Sequence, residues 1–100
     1  MSREYTGDEL GAGVSIIVVD TPPGRGPALH RHQYEEVFVL REGEVTFTIG
    51  DEERVARAGD IVVVPPDTPH GFVNTGEEPI GMVAIHVSPR FVTEWLDQSS

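Results

Sequence analysis

The stretch Gly24-Arg25-Gly26-Pro27-Ala28-Leu29-His30-Arg31-His32-Gln33-Tyr34-Glu35-Glu36-Val37-Phe38-Val39-Leu40-Arg41-Glu42-Gly43 decides how this chain is read. Side chains of an extended strand alternate between its two faces, so His30 and His32 fall on one side and can point at one ion. Glu36 shares their parity, and a chain that turns back a little after His32 delivers its carboxylate to the same side. Glu35 has the opposite parity and reads as solvated, or paired with Arg31 or Arg41. Two imidazoles and a carboxylate make half of a divalent-metal site, a mixture that suits iron, manganese, nickel, copper, cobalt or zinc. The site needs one more ligand.

Outward from this stretch, the pattern is one of short strands and turns. Upstream, Val14-Ser15-Ile16-Ile17-Val18-Val19-Asp20 is a β-branched run, apolar at successive positions and therefore covered on both faces, the second cover being a partner subunit. Thr21 to Pro27, rich in Pro and Gly, is a loop leading to the histidines. Downstream, Arg41-Glu42-Gly43-Glu44 turns the chain into the alternating strand Val45-Thr46-Phe47-Thr48-Ile49, and Gly50-Asp51 suits a two-residue hairpin returning through Glu52 to Ala56. Ile61-Val62-Val63-Val64 is an apolar strand stopped by Pro65-Pro66-Asp67-Thr68-Pro69. His70 to Asn74 and Ile80 to Val87 are the last two strands. Ser88-Pro89 opens a predicted helix, since Ser caps well and Pro is favoured in the first turn, with Phe91, Val92, Trp95 and Leu96 at helical spacing. The sequence predicts an all-β fold, with residues 1–13 an N-terminal arm or edge strand, 14–87 a β-barrel, 88–98 a C-terminal helix, and the whole of 1–100 one domain.

Composition narrows the function. The chain has 100 residues, 17 of them Asp or Glu against 7 basic residues, all Arg, for a formal charge of -10. Phosphate recognition rests on Lys and Arg, so this balance argues against nucleic acid and anionic membrane as partners. The absence of Cys removes disulfides, zinc-thiolate sites and thiol nucleophiles. Neither a signal peptide nor a run approaching the roughly 20 apolar residues of a spanning helix is present, so a cytoplasmic protein is the expectation.

The fourth ligand is His70, just past the double-proline turn, where a fixed backbone can aim an imidazole into the barrel. Gly24-x5-His30-x-His32-x3-Glu36-x6-Gly43 resembles the first motif of the cupin family, and Gly59-x5-Pro65-x-Asp67-x2-His70-x3-Asn74 resembles its second. The departure is Asp67, where the family usually has Gly; Asp tolerates the left-handed conformation that Gly supplies. The resemblance is to small metal-binding cupins of the conserved-barrel type. It implies a double-stranded β-helix (jelly-roll barrel) with His30, His32, Glu36 and His70 as ligands of one divalent transition metal ion.

The remaining candidates surround that centre. His86 shares parity with Ile80, Met82 and Ala84; facing inward it is a base or substrate contact, facing outward it is surface. Tyr34, Phe38, Phe47, Phe72 and Met82 read as core or as walls of a substrate cavity, and Trp95 and Phe91 as the packing face of the terminal helix. Arg25 is a loop cation within reach of an anionic substrate or merely solvated. With three neutral imidazoles and one carboxylate, a divalent ion keeps net positive charge, able to polarise oxygen ligands, acidify water or, as iron or copper, activate dioxygen. The expectation is a small oxygenase-like enzyme, a dioxygenase before an isomerase, decarboxylase or lyase, in which an oxygen-rich substrate chelates the ion and Glu36 or His86 handles a proton. The alternative is a non-catalytic module binding a carboxylate or sugar. A homodimer is expected from the doubly apolar strand and the small core.

Overall fold

The β-branched and aromatic runs form ten strands among residues 2–96, the part of the chain that the computed structural model describes. In chain order they are β1 (Arg3–Tyr5), β2 (Ser15–Thr21), β3 (His30–Arg31), β4 (Glu36–Glu42), β5 (Glu44–Ile49), β6 (Glu52–Arg57), β7 (Ile61–Val64), β8 (His70–Asn74), β9 (Ile80–His86) and β10 (Glu94–Trp95). One helical turn, α1 (Gly7–Leu10), follows β1. Two antiparallel sheets result, ordered β1-β2-β9-β4-β7 and β10-β3-β8-β5-β6. From β2 onward the chain crosses between sheets at almost every step, which winds it into a double-stranded β-helix. The hairpin expected at Gly50-Asp51 joins β5 to β6, with Ile49 opposite Glu52.

Strict alternation fills the interior. On β4 the inner positions are Glu36, Phe38 and Leu40, and on β9 they are Ile80, Met82, Ala84 and His86, all buried. They meet Val45, Phe47 and Ala56 of the facing sheet in one apolar core. Phe38, Phe47 and Phe72 form an aromatic floor, with ring centroids 4.9 to 5.9 Å apart, a spacing at which tilted rings attract beyond simple burial. Two turns depend on unusual backbone. Asp67 has φ of 62°, the left-handed conformation expected of it. Gly26 lies against the Phe72 carbonyl so closely that a Cβ would collide with it.

The N-terminal segment takes the edge-strand form, and the C-terminal segment differs from expectation. The N-terminal arm is an edge strand followed by a turn closed by a capping box: Thr6 Oγ1 accepts from the Glu9 amide, and Glu9 Oε1 accepts from the Thr6 amide. The predicted helix over 88–98 does not form: residues 88–90 bend, 91–96 run as a strap containing β10, and 97–98 lie outside the described residues. Its backbone groups are claimed elsewhere. The Ser88 carbonyl accepts from Ser15 Oγ and the Pro89 carbonyl from the Asp8 amide; the Val92 amide donates to Tyr34 Oη. These tertiary bonds, with a β-branched pair at Val92-Thr93, outweigh a weak local helix signal.

Candidate metal centre

Register alone brings the ligand-type residues together. In one sheet Ser15, His86, Glu36 and Val64 are directly opposed neighbours, forming a row across four strands. In the other, Trp95, His30, His70 and Ile49 form the corresponding row. Their inner sides face each other at one end of the barrel, and His32 enters from the bend between β3 and β4. One ligand atom from each of His30, His32, Glu36 and His70 lies within 4.8 Å of all the others, and all four residues are buried.

The outer nitrogens of the three imidazoles are fixed. His30 Nδ1 lies 2.7 Å from the Ala28 carbonyl, His32 Nδ1 2.8 Å from that of Val92, and His70 Nδ1 2.9 Å from that of Thr68. A carbonyl only accepts, so each Nδ1 carries the hydrogen and donates it, which leaves Nε2 of the neutral ring as a bare lone pair aimed inward. There His32 Nε2 and His70 Nε2 each stand 3.2 Å from Glu36 Oε1. Acceptors crowded against a carboxylate oxygen repel unless a proton or a cation lies among them. One proton bridges a single pair; one divalent cation satisfies all four donors, and this donor set is the kind such ions take. His32 Nε2 and His86 Nε2 are both buried and without a hydrogen-bond partner, although each stands close to a Glu36 oxygen.

His86 faces inward, settling its orientation. Its Nε2 is 3.0 Å from Glu36 Oε2, the oxygen not shared with the other imidazoles, and its Nδ1 is 2.8 Å from Tyr34 Oη. Burial works to raise the pKa of Glu36, but the imidazoles of His32, His70 and His86 outweigh it and hold the carboxyl well below the usual carboxylate range. For His32, burial lowers the pKa while the Glu36 carboxylate and the Val92 carbonyl raise it, and the net direction is up. Burial dominates at His30 and lowers it. Burial raises Tyr34, so its hydroxyl stays protonated.

A cavity of about 390 Å³ opens in front of the cluster, lined by His30, His32, Glu36 and His86 among others. Phe38 and Phe72 form part of its wall; Tyr34, Phe47 and Met82 do not. Phe47 and Met82 are sealed in the core because their positions lie deeper than the histidine rows, and Tyr34 stands behind His86. Among the wall residues that the sequence reading missed are Phe91, Thr93 and Trp95, which alternate along the strap. The Trp95 ring is 4.9 Å from that of His30, and Phe91 meets His86 edge-on at 4.9 Å. Period-two parity in 91–95 was the available signal; it was masked by the competing helical spacing. Among the described residues, Arg25 is not on the wall, and the charged residues there are Glu4 and Glu36.

Comparison with known proteins agrees with this geometry. Residues 17–86 match the family model described as the cupin domain. An uncharacterised protein of Methanocaldococcus jannaschii is 30% identical over 90 residues, covering 87% of this chain and 72% of its own length. A Streptomyces cyaneus protein named polyketide synthase CurC is 37% identical over 68 residues, 67% of this chain and 44% of that protein. Among solved structures, oxalate oxidase in complex with glycolate superposes with a TM-score of 0.84 at 26% identity, over 95% of this chain and 54% of that one. Bacillus subtilis oxalate decarboxylase gives 0.85 at 25%, over 95% of this chain and 27% of its own. The chain thus spans about half of the oxidase and about a quarter of the decarboxylase. With the barrel, both sequence motifs and the family model in agreement, the chain belongs to the cupin family.

Proposed function

We propose that this protein is a metal-dependent cupin enzyme, oxygenase-like, that binds one divalent transition metal ion through His30, His32, Glu36 and His70. The observation that carries the reading is the convergence of three Nε2 lone pairs on one ionised carboxylate, each imidazole locked from behind by a backbone carbonyl. When bound, the ion supplies Lewis-acid activation of a chelating substrate and, if redox-active, one-electron chemistry with dioxygen. The likeness to oxalate oxidase supports the redox form of that chemistry.

The chain's own groups do the rest. Glu36 presents Oε1 toward the imidazole cluster and Oε2 toward His86. His86 lines the cavity, with Tyr34 Oη beside its Nδ1 and its Nε2 3.0 Å from Glu36 Oε2, so His86 and Glu36 form the pair that holds or moves a proton beside the substrate. Val92 in turn donates its amide to Tyr34 Oη. Phe38, Phe72, Phe91 and Trp95 exclude water and offer flat apolar surface to a carbon skeleton. Among the described residues no cationic side chain lines the wall to neutralise a small dianion such as oxalate, so the favoured substrate is neutral or singly charged and carbon-rich, with two neighbouring oxygens: a β-diketone or a catechol. The polyketide-related relative suits such a substrate. We take the functional unit to be a cytoplasmic homodimer, since β2 is apolar on both faces.

The test is oxygen uptake by untagged protein loaded with Fe(II) or Mn(II), offered a β-diketone, a catechol and oxalate. Turnover of a carbon-rich chelator, lost in His70→Ala, is the expected result. Stoichiometric metal with no turnover of any compound would instead identify a binding module, and preferential turnover of oxalate would contradict the substrate class.

A further inference from the structure

Among the described residues, Glu4 is the one carboxylate of the cavity wall that the ligand cluster does not use. It lies on β1, the end strand of its sheet, opposite Ile17, and the same row continues across the sheet through Ala84 and Phe38. Ala84 and Phe38 are buried in the interior, so Glu4 has the inward parity, and its neighbour Arg3, opposite Val18, has the outward one. The Glu4 side chain makes no hydrogen bond or ion pair with a described residue, whereas Asp8, Glu44 and Glu94 are each paired with an arginine. A charge on an end strand discourages edge-to-edge pairing, but either sign serves that purpose. Here the sign matters, because the charge borders a cavity.

The rest of the wall acts in the same direction. Phe38, Phe72, Phe91 and Trp95 present aromatic faces, which attract cations. With no cationic side chain on the wall among the described residues, and a net charge of -10 on the chain, a cation gains on entering and an anion loses. At the other end, a divalent ion held by three neutral imidazoles and Glu36 keeps one net positive charge, which singly ionised chelating oxygens match. The two ends of the cavity therefore favour opposite charges. We infer that Glu4 is a specificity-determining residue, selecting a substrate whose chelating oxygens are joined through a carbon skeleton to an ammonium group; the inference rests on the chelating-substrate reading above. The dimensions suit such a molecule. From Glu4 through Ile17 and Ala84 to Phe38 the register counts three strand spacings, about 14 Å of sheet at about 4.8 Å each, and side chains reaching inward shorten that to the length of an aryl or short-chain amine. The cavity volume of about 390 Å³ falls within the roughly 300–1,000 Å³ of small-molecule sites.

The test is calorimetric titration of the zinc-loaded protein with three catechols of closely similar length, bearing 2-aminoethyl, 2-hydroxyethyl or carboxymethyl opposite one ring oxygen. Wild type, Glu4→Gln, Glu4→Lys and the control Asp51→Asn, at the exposed turn between β5 and β6, are compared, with zinc content recorded for each. Wild type should bind the amine about fivefold tighter than the alcohol, the ratio an exposed ion pair can supply, and the acid most weakly. Glu4→Gln should bring amine and alcohol to nearly equal affinity while the alcohol's own affinity and the zinc content stay unchanged. Glu4→Lys, which keeps a charge on the strand, should reverse the order of amine and acid, and Asp51→Asn should behave as wild type. If both Glu4 variants misfold, salt decides the question: in wild type the preference for amine over alcohol should shrink as sodium chloride is raised, because screening weakens an exposed pair. Equal affinity for the three catechols, a preference unmoved by salt or by Glu4→Gln, or its loss in Asp51→Asn would overturn the role of Glu4 and leave chelation standing. Failure of all three to bind the zinc-loaded protein would overturn the chelating-substrate reading and this inference with it.

Discussion

His70 Nε2 and His32 Nε2, each 3.2 Å from the same Glu36 oxygen, define the chemistry at the residue scale. A metal ligand must be a free base, so protons compete with the ion for these nitrogens. Glu36 remains ionised well below neutrality, and burial keeps His30 neutral, so His32, whose pKa is raised, is the first of the shifted groups to be lost as pH falls. Metal affinity should therefore be greatest above the ordinary imidazole value of about 6.5 and fall as pH drops through it. Calorimetric titration with zinc at pH 7.5 and 5.5 should show at least about tenfold weaker binding at the lower pH, one decade per unit for a single competing proton. Equal affinity at both would mean that these imidazoles do not bind the ion. Much of this was legible in the sequence. Parity joined His30, His32 and Glu36, and the double-proline turn singled out His70. The direct pairing of His30 with His70 was not legible, because cross-strand register is set by packing between distant segments. The face of His86 depended on which side of β9 the core would occupy.

Among elements, the strap of residues 91–96 has the largest effect on the site. Its Val92 carbonyl holds His32 Nδ1, its Val92 amide holds Tyr34 Oη, and Phe91, Thr93 and Trp95 wall the cavity. Removing a hydrogen-bond partner behind a ligand typically weakens metal binding by about 10- to 100-fold. A chain ending at Arg90 should show a loss of that order in zinc affinity while its far-ultraviolet spectrum stays β-rich. Unchanged affinity would show that the strap does not orient His32. Trp95 is the only Trp, so its fluorescence reports on the mouth of the cavity directly. Here the sequence was misleading for a physical reason. Ser88-Pro89 is a sound helix start locally, yet its carbonyls bond to Ser15 and Asp8, partners more than seventy residues away that no local pattern announces. The strands themselves, with alternating or β-branched runs between Gly and Pro turns, were readable almost to their ends.

At the scale of the whole molecule, the two sheets share one interior, an apolar core at one end and a polar cluster at the other. An ion bound as proposed would tie both sheets together, through Glu36 from one and His30 and His70 from the other. Ligand binding to the folded state alone contributes about 2.7 kcal/mol at a hundredfold excess over the dissociation constant. For a chain of this size, about 1 kcal/mol moves the melting temperature by roughly 4–8 °C. Stripping zinc with a chelator should thus lower the melting midpoint by roughly 10–20 °C, and His70→Ala should melt at the same temperature with and without zinc. A midpoint indifferent to zinc in the wild type would place the ion, if any, outside the joint between sheets.

The central claim is that four side chains from two sheets hold one cation. Anomalous diffraction at the zinc edge, from crystals of untagged protein saturated with zinc, tests it most directly. The predicted result is one peak per chain, about 2.0–2.2 Å from Nε2 of His30, His32 and His70 and from a carboxylate oxygen of Glu36. An ion found elsewhere, or none, with the three imidazoles bonded to Glu36 alone, would contradict it.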